Sequence, residues 1–129
     1  MIGYVTLGSN DLARGAPFYD AIAADMGVGR MFEWDGAIAW GEAGGAAGIC
    51  LMKPFDGQAA SVGNGVMVAL EVKDRAQVDR IYAAALAHGG SCEGAPGLRG
   101  GADAEGKGFY AAYFRDPDGN KLNAFVMGG

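Results

Sequence analysis

"YVTLGSNDLARGAPFYDAIAADMGV", residues 4 to 28, lies over "MVALEVKDRAQVDRIYAAALAHGGS", residues 67 to 91, at an offset of 63. Val5 meets Val68, Leu7 meets Leu70, Asp11 meets Asp74 and Tyr19 meets Tyr82. Matches of Ala and Gly count for little in a chain with 24 glycines. The other four fall at strand, helix-cap and helix-core positions, which marks a repeated structural unit. Further on the offset becomes 73: Ala39-Trp40 meets Ala112-Tyr113, Ile49 meets Leu122 and Cys50 meets Asn123. Ten extra residues then fit the Gly-rich stretch between Gly94 and Gly108, read as a loop. Each half reads strand, helix, then three strands.

The helices follow from apolar spacing. Val78, Ile81, Tyr82, Ala85 and Leu86 share one face of a helix over residues 74 to 88. Asp74 can cap it, Gln77 stands three residues later, and Gly89-Gly90 ends it. In the first half Leu12, Tyr19, Ile22, Ala23 and Met26 form the stripe, but Pro17 interrupts it. This predicts a turn over 11–15 and a regular helix from Pro17, a residue suited to the first helical position. Asp35-Gly36 reads as a hairpin tip. Asp116-Pro117-Asp118-Gly119 reads as a tight turn before a strand.

Strand parity separates two faces. Val5, Leu7, Ile49, Leu51, Val66, Val68, Leu70, Leu122, Ala124 and Val126 are aliphatic, as a helix-covered face requires. The opposite parity holds Tyr4, Thr6, Cys50, Met52, Met67, Ala69, Lys121, Asn123 and Phe125. That mixed, polar and sulfur-bearing set predicts a ligand cleft on the uncovered face.

The bulk numbers bound the function. A chain of 129 residues, 50% hydrophobic and 19% charged, predicts one folded domain. Its units are module one at about 1–57 and module two at about 63–127. The net charge of −5 and the lack of a Lys/Arg run argue against nucleic acid. No stretch reaches the ~18 apolar residues of a membrane span. The N-terminus lacks a basic, then apolar, leader pattern. A cytoplasmic protein is expected. Cys50 and Cys92 form no CxxC motif and no disulfide framework.

Three stretches carry a family resemblance: "YVTLGSNDLARGAPFYDAI" (4–22), "GNGVMVAL" (63–70) and "FRDPDGNKLNAF" (114–125). The chain resembles the vicinal oxygen chelate superfamily, which includes glyoxalase I, extradiol dioxygenases, fosfomycin-resistance enzymes and bleomycin-resistance proteins. The resemblance implies an α+β fold of two βαβββ modules whose curved mixed sheets form a cup, with helices on the outer face. Modules of this kind pair within a chain or across a homodimer, and a homodimer is expected.

Metal-using members place one ligand on the first strand and one on the last strand of each module. By resemblance those places are Tyr4, Cys50, Met67 and Asn123. They offer a phenol, a thiol, a thioether and an amide, whereas hard divalent ions take imidazole or carboxylate. No metal and no cofactor is expected there. The expected function is the binding of a small organic molecule, as in bleomycin-resistance proteins. Tyr4, Thr6, Cys50, Met52, Met67, Lys121, Asn123 and Phe125 would line the site. The alternative is a glyoxalase-type lyase or other enzyme that uses Tyr4 or Cys50, or a metal held by non-standard ligands.

Other signals fail. Residues 101–108 nearly match the phosphate-loop pattern GxxxxGK[ST], but Gly108 replaces the hydroxyl residue. A loop, able to serve as a lid, is the better reading. His88 belongs to a helix C-terminus, where the dipole favours it, and not to a catalytic triad.

Overall fold

The structure is a computed structural model that describes residues 1–101 and 105–128. The first half runs β1 (Tyr4–Gly8), α1 (Leu12–Asp25), β2 (Gly29–Trp34), β3 (Ala37–Gly41) and β4 (Gly48–Met52). The second runs β5 (Val68–Glu71), α2 (Arg75–Ala87), β6 (Ser91–Arg99), β7 (Phe109–Arg115) and β8 (Lys121–Met127). Each half makes a four-stranded mixed sheet, ordered β1-β4-β3-β2 and β5-β8-β7-β6. The fold is α+β, built from two βαβββ units. The two sheets are not closed on one another.

Register supports the repeat and corrects it by one residue. Thr6 pairs with Cys50, and Ala69 pairs with Asn123, so Cys50 and Asn123 are equivalent. On the third strands, however, Ala39 pairs with Cys50 while Tyr113 pairs with Asn123. Ala39 therefore corresponds to Tyr113, and Trp40 to Phe114. The connection 42–47 is one residue longer than the turn 116–120, and this displaces the alignment. Burial agrees, since Trp40 and Phe114 both pack into the core.

Leu7, Leu51, Leu122, Ala124 and Val126 are buried on the helix side of their sheets. Val66 departs from the reading: it precedes β5 and is exposed. Pro17 also departs from it. α1 begins at Leu12 and carries Pro17 inside. Pro17 and Ala13, four residues earlier, are both exposed, so the carbonyl left without a donor lies on the solvent side. Asp11 caps the helix by accepting from the Arg14 amide at 3.1 Å. Gly15 lets the first turn approach β4, because a Cβ there would lie 2.6 Å from Leu51 Cδ2.

In α2, Asp74 accepts from the Gln77 amide at 2.8 Å. Gln77 Oε1 accepts from the Lys73 amide at 2.9 Å, and its Nε2 donates to the Asp25 carbonyl at 3.1 Å. Leu86 is exposed and leaves the predicted stripe. His88 caps the end, its Nδ1 2.8 Å from the Ala84 carbonyl. The stretch read as a loop from Gly94 is strand as far as Arg99, with register shifts at Gly94 and Gly97. Residues 102–104, the centre of the near-phosphate-loop pattern and of the suggested lid, lie outside the described residues.

One core joins the halves. Phe18, Tyr19, Ile22, Trp40 and Leu51 from the first pack with Val78, Ile81, Phe114 and Leu122 from the second. The turn before β8 completes the junction. Asp116 is buried, and its carboxylate accepts from Tyr19 Oη at 2.6 Å and from Asn120 Nδ2 at 2.9 Å. It also accepts from the amides of Asp118 and Asn120, each at 2.9 Å. Asn120 Nδ2 donates to the Gly8 carbonyl at 2.9 Å. Asp118 Oδ1 accepts from the Asn10 amide at 2.9 Å and from Arg14 Nη2 at 3.0 Å.

Tyr19→Phe is expected to destabilise the fold by about 1.5–3 kcal/mol, the range for a hydrogen bond to a charged group. Burial, then Asp116, pushes the Tyr19 hydroxyl well above its ordinary value of 10.0. Its stabilisation is complete below the unfolded value and is lost as pH rises toward the folded one. Denaturant melts from neutral to alkaline pH should therefore show a weaker alkaline loss in the variant. Leu122→Ala is expected to cost about 2–5 kcal/mol as a core truncation. Asn123→Ala should cost less, because Asn123 Oδ1 is buried without a hydrogen-bond partner. The same melts rank the two.

Candidate functional site

The open face of the first sheet is built in two rungs. Thr6, Cys50, Ala39 and Phe32 pair in succession across the strands, and so do Gly8, Met52, Ala37 and Trp34. Side chains on one rung share a face. Ala37 and Ala39 are small, so the middle of the sheet is hollow. Phe32 and Trp34 stack with centroids 4.5 Å apart and 22° between planes. The Asp35-Gly36 hairpin tip holds them at the rim, with Gly36 at φ 86°. The resulting cavity of about 410 Å³ is lined by Tyr4, Thr6, Phe32, Trp34, Cys50 and Met52, among others. Tyr4 is 70% exposed and Trp34 67%, while Cys50 at 5% lies on the floor. Burial pushes the Cys50 thiol up from its ordinary value, against a smaller opposite effect of a hydrogen bond with Thr6.

Arg30 fixes the hairpin from behind. Its Nε and Nη2 donate to the two Asp20 oxygens at 2.9 and 2.8 Å, and Nη1 donates to Glu33 at 2.6 Å. Trp40 Nε1 donates to the same Asp20 at 2.7 Å. The Arg30 guanidinium holds the Asp20 carboxyl below its usual range.

The second sheet fills the equivalent space itself. Tyr113 stands where the first sheet has Ala39, beside Asn123. Arg99 Cζ lies 5.3 Å and Lys121 Nζ 5.6 Å from the Tyr113 ring centroid. Phe125 stacks on Phe109 at 5.3 Å. Asn123 is left 1% exposed.

The predicted site residues thus fall into separate places within one chain. Tyr4, Thr6, Cys50 and Met52 meet in the first cavity. Met67 and Lys121 line another of about 460 Å³. Asn123 is buried on the second sheet's open face, beside Tyr113 and on the same side of its strand as Phe125. Phe32 and Trp34 join the lining beyond the residues expected from sequence. The signal was available: both alternate before Asp35-Gly36, and pairing from that tip sets them opposite Ala39 and Ala37.

The residues at the four family ligand places do not fit a hard divalent ion. A phenol, a thiol pushed up by burial, a thioether and an amide supply no carboxylate or imidazole. Tyr4 and Cys50 also belong to a different sheet from Asn123. Among the described residues no three His, Cys, Asp or Glu side chains group to hold a metal. No helix among them is long and apolar enough to cross a membrane.

A two-module βαβββ protein with one hollowed sheet face is the class that this fold and site define. The sequence model of the Glyoxalase/Bleomycin resistance protein/Dioxygenase superfamily matches residues 1–124, and the chain belongs to that family. A solved glyoxalase/bleomycin resistance protein from Albidiferax ferrireducens T118 is 34% identical, with a TM-score of 0.86 over 98% of both chains. A glyoxalase-related enzyme from Fulvimarina pelagi is 20% identical, with a TM-score of 0.72 over 98% of this chain and 87% of its own. A lactoylglutathione lyase from Agrobacterium tumefaciens is 20% identical, with a TM-score of 0.66 over 98% of this chain and 92% of its own. These last two share the fold. No curated protein matches the sequence.

The two thiols should react differently. Cys92 is exposed and Cys50 buried. With a disulfide thiol reagent near pH 8, one thiol per chain is expected to react promptly and the other slowly, since thiolate and access set the rate. Cys92→Ser should remove the fast phase; loss of the slow phase instead would place Cys50 at the surface.

Proposed function

We propose that this chain binds a small organic molecule with a planar, aromatic part in the cavity of the first sheet, without a metal, in the cytoplasm. The stacked Phe32–Trp34 pair at the rim of an open 410 Å³ hollow carries the reading. A ligand of that size range meets apolar walls and few polar groups, as small-molecule sites usually do. Tyr4 and Thr6 supply hydroxyls, and Met52 an adaptable wall. Glu42 also lines the cavity, and the net charge of −5 favours a cationic ligand over the aromatic faces. The enzymatic alternative has less support. A Cys50 thiol pushed up by burial is a weak nucleophile.

The open face also favours a homodimer. Tyr4, Phe32 and Trp34 stand exposed around the cavity, and a second copy of the chain would cover part of that apolar surface. Two-fold symmetry is the usual closure for identical chains.

A thermal-shift screen with planar cationic and neutral compounds tests the reading, followed by tryptophan fluorescence on the hits. Trp34→Ala is expected to weaken binding roughly two- to twelvefold, from an aromatic contact of about 0.5–1.5 kcal/mol. Hits that ignore Trp34→Ala would remove the cavity from consideration. Light scattering should give twice the 13.2 kDa chain mass at micromolar concentration.

A further inference from the structure

The second sheet carries a cavity of different chemistry. About 460 Å³ in volume, it lies between residues 62–67 and the β7–β8 hairpin. Its floor holds Arg115 and Lys121, which face each other directly across the two strands. Like charges placed opposite one another destabilise a sheet. One carboxylate offsets them: Arg115 Nε donates to Glu93 at 2.6 Å. The Glu93 carboxyl is held below its ordinary value by that bond, by the charge of Arg115 and, more weakly, by Lys121. Two cations thus share one acid in a chain whose net charge is −5. The opposite wall carries Asn64 and three apolar side chains, Val62, Val66 and Met67, exposed at 46%, 57% and 40%. Next to Lys121 on the same face, Asn123 is 1% exposed, and its Oδ1 has no hydrogen-bond partner.

We infer that this cavity is a binding site for a small organic carboxylate. The carboxylate lies between Arg115 and Lys121, and its apolar body rests on Val62, Val66 and Met67. An oxyanion there relieves the opposed charges that Glu93 only half offsets. Arg115 is already oriented for the task, since its Nη1 donates to the Gly119 carbonyl at 2.9 Å. A guanidinium held in place loses little freedom on binding an anion. The volume falls within the ~300–1,000 Å³ of small-ligand sites. This site does not rest on the aromatic cavity of the first sheet, and each can fail without the other.

The test uses the intact chain and four probes: benzoate, benzamide, benzylamine and inorganic phosphate. Calorimetric titration should give benzoate a Kd at least tenfold below that of each of the other three. Lys121→Met should raise the benzoate Kd tenfold or more with a melting temperature no lower than the parent's, and Lys121→Arg should restore most of the affinity. Glu93→Gln should tighten benzoate several-fold by freeing Arg115. In methyl-detected NMR, benzoate should shift the Met67 methyl and leave the Trp34 indole in place. Equal binding of benzoate and benzamide, phosphate as tight as benzoate, indifference to Lys121→Met, or shifts confined to Trp34 would each overturn the assignment.

Discussion

The Asp116 carboxylate is the constraint on which the rest of this chain depends. It is buried, and it accepts four hydrogen bonds: two from backbone amides of its own turn, one from Asn120 and one from Tyr19. A buried charge is tolerable only when its hydrogen-bonding capacity is met. Here the donors come from both halves of the molecule. Tyr19 stands on α1, and through Asn120 the same turn reaches the Gly8 carbonyl at the end of β1. Neither half can shift against the other without stripping donors from the charge. The two open faces are therefore fixed in relative direction by a turn that lies on neither.

With that frame rigid, a single position separates the two faces chemically. The sheets repeat each other rung for rung, yet Ala39 stands beside Cys50 where Tyr113 stands beside Asn123. A methyl leaves a hollow, and a phenol ring fills it. Around the ring Arg99 and Lys121 add charge. Gly94 and Gly97 make room for this, since a Cβ on either would lie 3.0 or 3.2 Å from the Arg99 guanidinium nitrogens. One module became an aromatic hollow and the other a cation-bearing floor on the same backbone. This is the familiar separation of fold from site.

Much of this was legible in the sequence, for reasons that can be named. The repeat, the Asp74 cap, the hairpin tip at Asp35-Gly36 and the turn at Asp116 each rest on a residue type with a strict local requirement. The aliphatic parity of Leu7, Leu51 and Leu122 fixed which face is covered. What escaped depends on contacts between elements. Pro17 lies inside α1 because capping by Asp11 and the close fit of Gly15 on Leu51 hold the first turns, and no local preference reports that. In sequence Ala39 lies over Ala112 because the two residues are identical, and only pairing with Cys50 and Asn123 moves the match to Tyr113. Asn123 shares its face with Lys121 and Phe125 as parity required, but parity says nothing of the Tyr113 ring beside it.

The clamp also orders the events of folding. Asn10 and Asp118 are joined across 108 positions of sequence, and Tyr19 and Asp116 across 97. Contacts so distant in the chain form late, because the loop they close must lose its freedom before they contribute. As the chain leaves the ribosome, the first module emerges before Asp116 is present to accept from Tyr19. The half-core around Phe18 and Tyr19 stays uncovered until β7 and the turn after it arrive. The same carboxylate that makes the finished molecule rigid leaves its first half dependent on the second throughout synthesis, and that interval is when its exposed aromatic surface is most open to association with other chains.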